Sequence, residues 1–212
     1  MKQLLFFVMV TTVCLSACSQ TGNQSKTKRV GGNCEGCEAI YESPVALEKI
    51  TNTATLPDYN GHGPKLEISG IVYHRDGKTP AKDVVIYVYH TDQTGHYTPG
   101  DNAKGWEKRH GRLRGWMKTD KNGYYHFYTL KPAAYPNTNI PAHIHITIKE
   151  PDKNEYYIDE YLFEGDPFLT ASERSRQEKR GGNGIISLEQ KNGMLYGKRN
   201  ITLGLNIPNY ED

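Results

Sequence analysis

The chain has 212 residues, 26 basic and 24 acidic, with a net charge of +2 and 36% hydrophobic composition. That length is enough for one well-buried domain, and nothing in the order of residues repeats at solenoid or propeller spacing. The near balance of charge excludes a surface built for a nucleic-acid phosphate backbone.

At the start, Lys2, the apolar stretch Leu4 to Leu15 and the run Leu15-Ser16-Ala17-Cys18 have the charged start, short apolar core and small residues of a secretory signal. The stretch is too short to span a membrane as a helix. Its end is similar to a bacterial lipoprotein box, which implies removal of residues 1–17, lipidation of Cys18, and membrane attachment through that anchor alone, on the periplasmic or the outer side. Removal takes away only Lys2, leaving 26 − 1 = 25 basic residues against 24 acidic ones. Residues 19–33 are mostly Ser, Gln, Thr, Asn, Gly and Lys and read as a flexible leash, with Lys26, Lys28 and Arg29 as solvated charges. Residues 18–62 are therefore assigned to a lipid-anchored tether that carries Cys34-Glu35-Gly36-Cys37. In an exported chain two such thiols favour a small local disulfide over a metal site. Zinc would need two further ligands, and His62 is the one nearby imidazole before His74.

Residues 63–212 read as the folded domain. Leu66 to Tyr73 and Val84 to His90 are strands on either side of an Asp76-Gly77 turn. In the second, Val84, Ile86, Val88 and His90 share one face and Val85, Tyr87 and Tyr89 the other, so both faces are expected to be covered. Asn122-Gly123 marks a turn before a strand at Tyr124 to Leu130. Glu155 to Phe163 continues the pattern, and two strands flank the Lys191-Asn192-Gly193 turn, at Gly184 to Glu189 and Met194 to Leu205. Ser172 to Arg180 reads as the one short helix, ended by Gly181-Gly182. Many short strands between Gly, Pro and Asn turns define an all-β sandwich. Its modest aliphatic content is supplemented by 15 tyrosines.

The chemistry concentrates in Pro141-Ala142-His143-Ile144-His145, with Tyr135 six positions before Pro141 and Tyr97 following Gly95-His96. From Ile140 to Lys149 the side chains alternate, so His143, His145 and Thr147 share a face while Ile144, Ile146 and Ile148 take the core. Residues two apart on a strand are about 6.6 Å apart along the chain, which lets two imidazoles converge on one ion. The other histidines, His62, His74, His90, His96, His110 and His126, read as solvated or as supports around the site rather than ligands.

At these residues the chain resembles the intradiol ring-cleavage dioxygenases, non-haem ferric enzymes that include catechol 1,2-dioxygenase and protocatechuate 3,4-dioxygenase. The resemblance covers about residues 65 to 170. It runs from Leu66-Glu67-Ile68-Ser69-Gly70, through Val84 to Thr91 with Gly95-His96-Tyr97, to Thr119-Asp120-Lys121-Asn122-Gly123-Tyr124-Tyr125. It continues through Thr129-Leu130-Lys131-Pro132-Ala133-Ala134-Tyr135-Pro136 into Pro141 to His145. The resemblance implies the family's sandwich, one Fe(III) per chain held by Tyr97, Tyr135, His143 and His145, and a small aromatic diol and O2 as substrates. It also implies that Tyr135 leaves the metal and takes a proton as the diol binds, and that the ring opens between its two hydroxyls to a muconate-type dicarboxylate. A phenol ionises at neutral pH only beside a strong Lewis acid, which agrees with a ferric ion.

Two positions depart from the family. Its Arg immediately before Pro-Ala-His-Ile-His is Ile140 here, and its pocket Gln aligns with Glu160, counted back from Gly165-Asp166-Pro167. Arg112 or Arg114 is expected to supply the missing positive charge. Trp106 is placed in the pocket wall, with structural packing the alternative for it and for Trp116. The long N-terminal helical dimerisation segment of the larger catechol enzymes is absent, and whether the chain forms a homo-oligomer stays open. A catecholate- or iron-binding sandwich without ring cleavage is the alternative function, because Ile140 removes the family's Arg.

Overall fold

The computed structural model describes residues 29–211. The expected signal peptide, Cys18 and the first part of the leash lie outside the described residues. Among the described residues twelve strands form two six-stranded sheets packed face to face, the all-β sandwich expected from the sequence.

The first sheet contains β1 (Thr53–Thr55), β2 (Lys65–Tyr73), β5 (Tyr124–Leu130), β10 (Leu188–Lys191), β11 (Met194–Lys198) and β12 (Ile201–Thr202). Its main path runs β1-β5-β2-β11-β10, and β12 also pairs with β2. The second contains β3 (Val85–His90), β4 (Arg114–Lys118), β6 (His143–Lys149), β7 (Tyr156–Tyr157), β8 (Tyr161–Phe163) and β9 (Ile185–Ile186), in the order β4-β3-β6-β8-β9 with β7 also on β6. Ile68, Val72, Tyr125 and Phe127 from the first sheet meet Ile86, Val88, Met117, Ile144, Ile146 and Ile148 from the second, forming the core. Alternation thus places His143, His145 and Tyr89 on the opposite, outer face of the second sheet.

That outer face corrects the expected domain boundary. Residues 34–62 are not a tether. A 3-10 helix at Cys37–Glu42 and another at Leu47–Lys49 lie over the second sheet, where Ala39, Ile40 and Ile50 pack with Val85 and Tyr87. Trp116 Nε1 donates to the Ile40 carbonyl at 2.9 Å, and Lys118 Nζ donates to that of Glu48 at 2.7 Å. β1 then adds to the first sheet in parallel with β5, and Leu56 enters the main core. The segment is polar on average, so its few apolar residues are easily passed over; Ala39, Ile40, Ile50 and Leu56 are nevertheless buried.

The helical expectation is corrected too. The helix expected from 172 to 180 runs only over Ala171–Ser175, capped by the Thr170 hydroxyl, which accepts from Glu173 N at 3.2 Å. Beyond it Asp159 takes the N–H groups of Lys179 and Arg180, at 2.7 and 3.1 Å, and draws the chain out of helix. A second helical turn lies at Glu107–His110, and the strand β4 follows it. Among the described residues no helix is long and apolar enough to cross a membrane. Cys34 and Cys37 are joined by a disulfide, as expected.

Candidate metal centre

Tyr97 and Tyr135 come from two loops that are tied together. Asp92 organises the first: it accepts from Thr94 N at 2.8 Å, from His96 N at 3.2 Å and from the Thr98 hydroxyl at 2.5 Å. Burial alone would raise the Asp92 carboxyl, but these bonds hold it at about 2, so it stays an acceptor. Thr91 donates its hydroxyl to the Ala133 carbonyl at 2.6 Å, and Gly95, at φ +80°, lies so close to Ala134 that a Cβ would stand 2.2 Å from its carbonyl oxygen. Only glycine allows this approach, which brings Tyr97 alongside Tyr135.

β6 supplies the two imidazoles. Asp166 of the Gly165-Asp166-Pro167 turn accepts from Ala142 N at 3.2 Å and fixes the strand entry. The four polar tips then meet. Tyr97 Oη is 2.5 Å from Tyr135 Oη and 2.8 Å from His145 Nε2; Tyr135 Oη is 3.2 Å from His143 Nε2; and the two Nε2 atoms are 3.2 Å apart.

Hydrogen assignment shows what this cluster can hold. His143 Nδ1 lies 2.8 Å from the Pro141 carbonyl, and His145 Nδ1 lies 3.5 Å from Glu160 Oε1. A carbonyl and a carboxylate can only accept, so each Nδ1 carries the hydrogen and each Nε2 turns a lone pair inward. Without a cation, the two phenol hydrogens are what stands between these lone pairs. Burial raises both phenols above their ordinary range, Tyr97 further through its bond to Tyr135, so both are neutral in the metal-free protein. Burial and the nearby His145 lower His143, which favours its neutral form. Burial alone would raise Glu160, but contact with His145 brings it down to about 2, so the carboxylate orients that ring. Two neutral imidazoles and two ionisable phenols suit a hard, highly charged cation. Among the described residues no group of three or more His, Cys, Asp and Glu forms a metal site, so the donor set depends on the tyrosines.

A cavity of about 320 Å³ opens beside these donors, lined by Tyr97, Tyr135, His145, Tyr89, Trp106, His110, Arg109 and Glu35. Trp106 forms part of its wall. Glu160 lines a second hollow of about 260 Å³ on the other side of His145. Ile140 lines neither and is 46% exposed. Arg112 and Arg114 do not line them: Arg112 pairs with Asp58, while Arg114 pairs with Glu42 and Glu107 and lies over Trp116. The guanidinium at the cavity is that of Arg109, paired with Glu35 and placed over Trp106 at 5.3 Å. Sequence reasoning missed Glu35 and Tyr89. Tyr89 could have been found by register, since it stands opposite His145 across the β3–β6 ladder.

Fold and site together define a class: a β-sandwich whose centre gathers two tyrosines and two histidines at the outer end of one sheet. The Dioxygenase_C family model, described as dioxygenase, matches residues 40–180, and the chain belongs to this family, the intradiol dioxygenases. Three solved structures share the fold. The dioxygenase domain of a dioxygenase carbohydrate-binding protein fusion from Streptomyces sp. SirexAA-E has a TM-score of 0.55 at 20% identity, over 70% of this chain and 85% of its own. Catechol 1,2-dioxygenase from Acinetobacter sp. ADP1 has a TM-score of 0.55 at 18% identity, over 72% of this chain and 56% of its own. Hydroxyquinol 1,2-dioxygenase from Pseudomonas putida DLL-E4 has a TM-score of 0.52 at 18% identity, over 76% and 63%. The match thus spans little more than half the length of these last two enzymes.

Proposed function

We propose that the chain is a ferric dioxygenase that opens a small aromatic diol between its hydroxyls with O2, giving a muconate-type dicarboxylate. The observation that carries this reading is the convergence of Tyr97, Tyr135, His143 and His145, with both imidazole lone pairs turned inward by Pro141 and Glu160. These four residues would hold the iron, which when bound supplies the Lewis acidity that ionises phenols and lets a diol chelate and react with dioxygen. Tyr135 is the proton acceptor. Burial raises its phenol, so a proton taken up there would be retained. Tyr89, Trp106 and His110 form an aromatic wall that orients a flat ring and limits water beside the donors. Arg109 is the cation on hand for negative charge that develops on the ring.

Export and lipid anchoring at Cys18 belong to the same proposal; the Leu15-Ser16-Ala17-Cys18 sequence and the Cys34–Cys37 disulfide support them. A second reading, binding of a catecholate without cleavage, is favoured by the exposed Ile140 where the family places Arg. The test is to load purified protein with ferric iron and follow oxygen uptake with catechol, protocatechuate and hydroxyquinol. A tyrosinate-to-iron absorption with oxygen uptake supports the dioxygenase, and absorption without uptake supports the binding protein. Iron content unchanged in both His143→Ala and His145→Ala would refute the site.

A further inference from the structure

Glu35 of the Cys34–Cys37 loop reaches the cavity, and the rest of the loop also stands against the site. Cys37 is buried, with its sulfur 3.9 Å from the Thr147 hydroxyl on the strand that carries His145. Gly36, at φ +85°, approaches His110 so closely that a Cβ would stand 2.8 Å from its Nε2, 3.0 Å from its Cε1 and 3.2 Å from Trp106 Cζ3. Glu35 pairs with Arg109, on the helical turn that carries His110.

From His110 a continuous stack of rings leads to the donors. The Tyr89 ring lies 3.8 Å from that of His110 at 5° between planes, and 4.5 Å from that of His145 at 19°. The far end is fixed by Tyr87, whose hydroxyl is 2.9 Å from His110 Nδ1. His110 is thereby held at one edge by the sheet and at the other by the loop.

We propose that the disulfide-closed loop Cys34–Cys37 is a positioning element of the donor centre: by packing on His110 it holds the His110–Tyr89–His145 stack and so sets the plane of the His145 imidazole facing Tyr97. Its importance for catalysis rests on the dioxygenase reading; the coupling of loop to imidazole does not. The loop and the stack are supports, and none of Gly36, His110 or Tyr89 is a donor.

The test compares full-length wild type with Gly36→Ala, Cys34→Ser/Cys37→Ser and Tyr89→Leu. In the metal-free proteins, labelled with 15N in histidine, the ring resonances of His145 shift in all three variants and those of His143 shift less. In the iron-loaded proteins the tyrosinate absorption maximum moves while iron per chain is kept, and KM for catechol rises about fivefold with kcat changed less than about twofold. Combining Tyr89→Leu with either loop change adds little, because the missing middle ring has already uncoupled the ends. Unmoved His145 resonances in folded variants, or effects that simply multiply in the combined variants, would overturn the proposal. If the wild type takes up no iron the dioxygenase reading fails, while the metal-free resonances still decide this one.

Discussion

Replacing Tyr135 by Phe should remove one proton from the count released when ferric iron binds. With an ordinary phenol pKa of about 10, ionising one tyrosine at pH 7 costs about three pH units, or about 4 kcal/mol. Burial raises both Tyr97 and Tyr135 further, so that figure is a lower bound, and in the metal-free state both hydroxyls keep their hydrogens throughout the neutral range. A bound cation facing four lone pairs takes the place of those two hydrogens. Iron binding therefore strengthens as pH rises through the neutral range, by about tenfold per pH unit for each phenol ionised. The assay mixes metal-free protein with a ferric chelate of known protonation and reads the released protons with an indicator dye. Wild type should exceed Tyr135→Phe by one proton per iron, and should exceed Tyr97→Phe by the same amount, at a pH low enough that the vacated position takes neutral water rather than hydroxide, since a hydroxide there would itself release one proton. Equal counts in all three proteins would refute the assignment of the tyrosines as ionised ligands.

Three further outcomes follow from the same geometry. Leu56 is 2% exposed and packed so tightly on β4 that a Cβ on Gly115 would stand 2.5 Å from its Cδ1. Leu56→Ala should cost about 2–5 kcal/mol and, for a domain of this size, lower Tm by about 5–15 °C in calorimetry; a negligible change would restore the tether. Arg109→Ala should raise KM for the diol several-fold in steady-state assays, whereas Arg112→Ala, which loses only an exposed pair with Asp58, should leave KM unchanged and shift stability by less than about 1 kcal/mol. His90 is buried and its imidazole is pushed down to about 4 by that burial, so the native state disfavours its protonation. Its stabilising contribution is complete above about 6.5 and is lost as pH falls toward about 4. Urea unfolding should show about 2 kcal/mol less stability at pH 5 than at pH 7 from this group, a component His90→Asn removes.

Much of the fold was legible because strand alternation is a local property. Val84 to His90 and Ile140 to Lys149 each announce which side chains enter the core, and β3 and β6 run at 85–90 and 143–149. The donors were legible for the same reason joined to the family resemblance: two histidines at i and i+2 must share a face, and Tyr97 and Tyr135 follow the order of the motif. Contacts between segments distant in sequence were not legible. The apolar residues of 37–56 are too sparse to show a period, yet a sheet that buries one face between layers still exposes Val85, Tyr87 and Trp116 on the other, and only packing shows what covers them.

The arginines mark the same divide. Their charge and nearness to the tyrosines are facts of sequence, but which one reaches the cavity depends on a short helical turn, a disulfide-closed loop and the acids that capture Arg112 and Arg114 elsewhere. Residue identity and periodicity, joined to the family resemblance, pointed to the sandwich and to the four side chains that meet at its outer end. The walls around those donors were decided only when chain segments far apart in sequence came together, since contact energies between them are absent from any local pattern.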